Sequence, residues 1–281
     1  MEHIRYEVDG PIGVISLDRT EKANAVDQQA LDELNMAFEA AATDREIRVI
    51  VLRAEGKHFC AGHDITASNT AVGREAGEAT PQTAVDWDVR GLQAIYEWET
   101  VHYLGYSRRW RDIPKPTIAA VQGQCIAGGL MLCWPCDLIV AADNARFSDP
   151  VVRMGIGGVE YHAHTWEFGA RKAKEILFTS SFIDAATAEK LGMVNKVVAL
   201  DDLNAEAMGM AETIAKQPAF GLAMAKRAVN RTQDIQGYQN SLEAAFDMHQ
   251  LGHGNCIAAT GKPIFVNLDE MKKVTKDGGK S

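Results

Sequence analysis

The chain has no excess of positive charge. Its 281 residues carry 29 Lys and Arg against 38 Asp and Glu, a net charge of −9. That balance argues against a general nucleic-acid binder, which needs a basic face. No apolar run reaches the roughly eighteen residues that read as a membrane span. The N-terminus Met1-Glu-His-Ile-Arg5 lacks the apolar core of a secretory leader. A cytoplasmic protein without a membrane partner is therefore expected. The five cysteines, Cys60, Cys125, Cys133, Cys136 and Cys256, form an odd set without framework spacing, as reduced thiols do. Cys133 and Cys136 enclose Trp134 and Pro135 and have no second pair, so no metal is expected there.

What is present describes a folded α/β chain. A hydrophobic fraction of 46% with 24% charged residues is ordinary for a globular protein, and the length suffices for one large domain with a small helical appendage. Ile4 to Val8 and Ile12 to Leu17 alternate around Asp9-Gly10 and predict a hairpin. Asp27 to Ala42 places Ala30, Leu31, Leu34, Phe38 and Ala41 on one helical face. Val49 to Leu52, Ile118 to Val121, Leu138 to Ala142 and Val194 to Val198 are short apolar runs of the kind found in buried strands. Alternation of such strands with helices predicts parallel pairing through right-handed crossovers. From Leu200 onward the pattern turns helical, over Leu203 to Lys216, Gly221 to Thr232 and Tyr238 to Leu251.

Two segments carry the chemistry. Gly56-Lys-His-Phe-Cys-Ala-Gly-His-Asp-Ile65 and Val121-Gln-Gly-Gln-Cys-Ile-Ala-Gly-Gly-Leu130 each put a glycine-bearing turn after an apolar strand. Backbone N–H groups approach a ligand closely only where no side chain blocks them. Two such turns can converge on one carbonyl oxygen as an oxyanion hole, although either alone is ordinary turn chemistry.

With their surroundings these segments resemble the enoyl-CoA hydratase/isomerase (crotonase) family. The resemblance includes Gly13-Val-Ile-Ser-Leu-Asp-Arg-Thr-Glu-Lys-Ala-Asn-Ala25, Phe59 to Ile65 and Ile113-Pro-Lys-Pro-Thr-Ile-Ala-Ala-Val-Gln-Gly123. It continues through Cys136-Asp137, Ala145-Arg-Phe147 and Ala185 to Val198, in the family's order. The resemblance implies a spiral of ββα units over residues 1–199 and a C-terminal helical region over 200–281 that packs against neighbouring subunits in a homotrimer or a dimer of trimers. It implies an acyl-CoA thioester substrate, with coenzyme A entering as part of the substrate and no tightly bound cofactor. By position, the oxyanion donors are the N–H groups of His63 and Gly128, the His63 imidazole being a passenger. Lys22, Ala23, Ala25, Ala61, Asp64 and Ile65 are the implied contacts to coenzyme A, though Asp64 reads equally well as a cap of its own turn.

Two departures stand out. The stretch 66–111 is longer than in the family's shorter members; it has a polar run, Ala67 to Thr83, followed by Trp87, Tyr96, Trp98, Tyr103, Tyr106 and Trp110. These aromatics read as core or subunit contacts, or as a lid or pocket wall for a bulky acyl group. More consequentially, Met131 and Val151 occupy the positions of the two glutamates that do acid/base work in the family's hydratases. The leading replacement is Glu160, as a general base. If its stretch is helical, Glu160 and His164 lie four residues apart and form a carboxylate–imidazole pair. As a strand it would instead align His162 and His164 with Glu160 as a metal set, a reading not favoured. Asp149, before Pro150, is a weaker candidate with a turn or cap role as its alternative. Two functions remain open: an enzyme on acyl-CoA thioesters using a non-standard base, or a non-catalytic acyl-CoA-binding protein.

Overall fold

A computed structural model describes residues 1–65 and 91–265. The polar run Ala67 to Thr83 and Trp87 lie outside the described residues. The chain opens with the expected hairpin, β1 (Ile4–Asp9) antiparallel to β2 (Ile12–Leu17). Helix α1 (Gln28–Thr43) follows, its first turn capped by the Asp27 carboxylate accepting from Ala30 N at 2.9 Å, and it buries the five apolar residues read from its spacing. Strand β3 (Val49–Ala54) leads to the first glycine turn. From residue 91 onward come α2 (Leu92–Glu99), a π-helical turn over 100–104 and α3 (Gly105–Asp112). Next are β4 (Thr117–Val121), β5 (Gln124–Ile126), α4 (Gly128–Cys133), β6 (Leu138–Ala142) and β7 (Arg146–Ser148). Then follow α5 (His164–Thr179), β8 (Ile183–Asp184), α6 (Ala185–Leu191) and β9 (Lys196–Val198). Three helices end the described chain: α7 (Leu203–Ala215), α8 (Ala219–Ile235) and α9 (Tyr238–Thr260).

Successive strands divide between two sheets. One has six strands in the order β1-β2-β3-β4-β6-β9, parallel except for β1; the other has three, β5-β7-β8. Thus β4 and β6 enter the large sheet while β5 and β7, which follow them directly, enter the small one. This alternation is the expected α/β spiral of ββα units.

The large sheet is buried on both faces, which accounts for the uninterrupted apolar runs. Residues alternate by the period of two: Ile15, Leu17, Ile50, Leu52, Ala119 and Ala141 face the main core with α1, and Val14, Val49, Val51, Ile118, Ala120 and Val140 face Leu203, Ala207 and Ala211 of α7. So α7, which the sequence groups with the helical region from residue 200, packs onto the sheet itself. Helix α9 runs past Leu251, where the sequence pattern stops, because tertiary contact outweighs propensity: a Cβ at Gly252 would stand 2.8 Å from Gly155 O, so only glycine lets the two segments touch. Among the described residues no helix is long and apolar enough to cross a membrane.

Candidate functional site

The two glycine turns are bonded into one unit. Phe59 N donates to Gln122 O at 2.8 Å and Cys60 N to Gln124 O at 3.0 Å, while Ile126 N returns a bond to Cys60 O at 3.0 Å. The first turn therefore runs as an additional strand beside β5. Gly129 makes that approach feasible, since a Cβ there would lie 2.8 Å from Cys60 O. On its other side the turn is tied to the segment after β2, by Val26 N to Gly62 O at 2.9 Å and Asp64 N to Val26 O at 2.8 Å.

Between those two bonds the N–H of His63 has no hydrogen-bond acceptor among the described residues. Gly128 opens α4, and its N–H likewise has none, as expected of the first residue in a helix. The preceding Ala127 holds φ 45°, ψ −109° while its own N–H donates to Ser148 O at 2.9 Å. Positive φ in a residue with a Cβ is strained, and here the strained residue sets the direction of the Gly128 N–H.

The His63 side chain is not a passenger. Its ring lies against Gly128, with Cε1 and Nε2 each 3.0 Å from where a Cβ on that glycine would be. It stacks on Tyr103 with ring centroids 4.3 Å apart, and its Nε2 stands 3.2 Å from Glu160 Oε2. The expected partner of Glu160, His164, is elsewhere. Residues 155–163 contain neither helix nor strand, and α5 starts only at His164. The four-residue helical register that would have paired Glu160 with His164 therefore does not exist, nor does the strand register of a metal set with His162.

His164 instead sits with Nε2 2.9 Å from Asp149 Oδ2, both side chains fully buried. Asp149 also accepts from Val159 N at 2.7 Å and Val151 N at 3.4 Å. Burial pushes its pKa up, but His164 and the Val159 N–H outweigh this and hold it below the usual carboxylate value. Asp149 and His164 thus fasten the loop that presents Glu160.

Glu160 is 4% exposed. Burial raises its pKa, yet the neighbouring His63 and His249 outweigh that and bring it down to about 2; the same attraction lifts His63 above its ordinary value against the effect of burial. Beyond Glu160 lie His249, 3.8 Å from Oε1, then Glu99, Gln250 and His253. The sequence reading did not single out this second layer, although His249 and His253 show a helical four-residue spacing. Met131 and Val151 are both buried apolar side chains, unable to move a proton.

The residues expected to hold coenzyme A fall together on the flank of the first turn. Ala61 N donates to Ala23 O at 3.0 Å, and Ala23 and Asn24 take left-handed conformations, φ 51° and 55°. The Lys22 ammonium is half exposed, 3.7 Å from Asp64 Oδ2. The Asp64 carboxylate faces Arg19, at 3.0 Å from Nη1. Arg19, which also lies 3.3 Å from Asp27 and donates to Ala25 O, is an organiser the sequence reading missed. Tyr103, under the His63 ring, is buried in the core like Trp98, Tyr106 and Trp110, whereas Tyr96 is exposed.

The pattern of the enoyl-CoA hydratase/isomerase family matches residues 7–253. A solved structure titled a probable enoyl-CoA hydratase, from Mycobacterium smegmatis, is 51% identical with a TM-score of 0.86, covering 94% of this chain and 100% of that one. Another, from Mycobacterium thermoresistibile, is 52% identical with the same TM-score and coverage. A Rhizobium meliloti protein named a probable enoyl-CoA hydratase is 33% identical over 238 residues, 83% of each chain.

Proposed function

Because this chain belongs to the enoyl-CoA hydratase/isomerase family, we propose that it acts on acyl-CoA thioesters with Glu160 in place of the two usual glutamates. The thioester oxygen is held between the N–H groups of His63 and Gly128, stabilising an enolate as negative charge develops. Coenzyme A is brought in by the substrate along Lys22, Ala23, Ala25, Ala61, Asp64 and Ile65, and no resident cofactor is needed. A cytoplasmic location accords with this substrate.

The observation that carries the reading is the 3.2 Å contact between Glu160 and His63, whose ring abuts Gly128. A buried carboxylate beside the proposed oxyanion hole supports the reading of Glu160 as the base. A carboxylate paired with an imidazolium is a weak base. An arriving thioester competes with the His63 ring for the space over Gly128, and moving the ring away removes the larger of the two histidine influences that hold Glu160 near 2, leaving that of His249. Substrate binding would thereby raise the basicity of Glu160 towards what proton abstraction requires. The second reading, a protein that binds acyl-CoA without turnover, draws on Met131 and Val151 and predicts the opposite result in the following test.

A panel of enoyl-CoA and acyl-CoA thioesters, including bulky ones, is incubated with the protein in deuterated water and followed by mass spectrometry. Hydration or deuterium uptake is expected with the wild type. Glu160→Gln should lower it by about 10²-fold or more while coenzyme A binding is retained. His63→Ala, which keeps the backbone donor and removes the ring, should reduce turnover less than Glu160→Gln. Binding without either chemical change across the panel would establish the non-catalytic reading.

A further inference from the structure

Behind Glu160, outside the oxyanion turns, three buried side chains converge. His249 and His253 lie one turn apart on the same face of α9, opposite Glu99 at the end of α2. Glu99, His249 and His253 are 2%, 3% and 3% exposed. Each ring is fixed through Nδ1: His249 to Gly158 O at 2.7 Å and His253 to Pro263 O at 2.8 Å. A carbonyl only accepts, so both Nδ1 atoms carry hydrogen, and in the neutral rings both Nε2 lone pairs point inward. They point at each other, 3.2 Å apart. His249 Nε2 is 3.2 Å from Glu99 Oε2, and His253 Nε2 is 3.7 Å from Glu99 Oε1.

We propose that Glu99, His249 and His253 bind one divalent transition-metal ion of the zinc class. Bonds of about 2.0–2.1 Å in a tetrahedron put ligand atoms about 3.3 Å apart; His249 Nε2 stands 3.2 Å from both His253 Nε2 and Glu99 Oε2, and one donor atom from each of the three residues lies within 4.8 Å of the other two. Two imidazoles and a carboxylate form a donor set suited to such an ion. The surroundings provide the supporting bonds that metal ligands ordinarily have: both Nδ1–H groups are engaged by carbonyls, and Gln250 Nε2 donates to Glu99 Oε2 at 2.6 Å. Two inward lone pairs at 3.2 Å repel unless a cation or a proton lies between them. Burial makes that repulsion costly, because water cannot relieve it.

The ion competes with a proton for His249 Nε2. When bound, it cross-links α2, α9, the loop at Gly158 and the turn at Pro263. It would also stand beside Glu160, whose Oε1 is the nearest further donor, at 3.8 Å from His249 Nε2. Binding at this site does not depend on the reaction proposed above.

The test uses untagged full-length protein. After incubation with Zn²⁺ and desalting, elemental analysis should find about one zinc per chain, and the thermal midpoint should rise on addition of the ion. Co²⁺ should give the visible spectrum of a tetrahedral nitrogen–oxygen site without a thiolate charge-transfer band, which excludes the cysteines. Gln250→Leu, which leaves the ligands in place, should weaken Zn²⁺ binding by about 10- to 100-fold. His253→Asn should abolish stoichiometric retention, with circular dichroism confirming the fold. If the wild type retains no metal, shows no thermal shift and gives no tetrahedral Co²⁺ spectrum, the pair is held by a proton and the proposal is overturned. Zinc retained equally by wild type and His253→Asn would place the ion elsewhere and overturn it as well.

Discussion

Single atoms decide most of the chemistry here. The His63 residue contributes two unrelated groups: a backbone N–H without an acceptor among the described residues and an imidazole that pairs with Glu160. Asp149 shows how a nearby carboxylate can be structural. Its folded pKa is held below the ordinary value of 3.8, so the ionised form stabilises the fold. For a depressed carboxylate that contribution is fully present above the unfolded value and is lost as pH falls through the folded one. Urea midpoints measured from pH 6 down to pH 3 should therefore drop more steeply for wild type than for Asp149→Asn below about pH 4, so that the gap between the two proteins narrows. Parallel curves would remove Asp149 from the account of acid stability.

At the scale of elements, the site depends on how closely the two glycine turns approach. The bonds linking Cys60 to Gln124 and Ile126 leave no room for a side chain at residue 129. Gly129→Ala would put a methyl group against the Cys60 carbonyl, and backbone cannot yield as a flexible side chain does. The expected effect is a loss of about 1–3 kcal/mol in stability, with a fall in turnover because the His63 and Gly128 donors separate. Denaturant titration and steady-state kinetics read the two effects independently. Unchanged kinetics in a folded Gly129→Ala protein would mean that the spacing of the turns does not matter. The π-helical turn over 100–104 belongs at this scale too: such turns often mark functional sites, and this one carries Tyr103 under the His63 ring.

For the molecule as a whole, the C-terminal helices leave apolar surface uncovered. No residue of α8 is buried within the subunit. Phe220, Val229 and Ile235 of that helix are 76%, 62% and 81% exposed, and Met248 and Leu251 of α9 are also exposed. Apolar surface of this kind on a folded chain is what an association site would use. Homotrimers or dimers of trimers are expected in sedimentation velocity, and Phe220→Glu with Ile235→Glu should shift the distribution to smaller species. A wild-type monomer at micromolar concentration would rule out this use of the helices.

The resemblance to the family supplied the spiral of ββα units, and the sequence itself supplied alternating strands and helices. Its apolar runs were long enough for strands buried on two faces, its helical spacing was unambiguous from Asp27 to Ala42, and its glycines marked both turns. It also singled out Glu160 as the candidate replacement carboxylate, because Met131 and Val151 stand where the resemblance implies the two glutamates. It did not determine partners, because the groups that meet lie far apart in the chain: His63 and Glu160 are separated by 97 positions, Glu99 and Gln250 by 151. Local periodicity carries no information about such pairs. Where it was used to pair Glu160 with His164 it failed, since the loop held by Asp149 is not helical and its direction is set by buried contacts. The tertiary structure alone decided that His63 turns inward, that α7 joins the sheet, and that α9 continues far enough to bring His253 to Glu99.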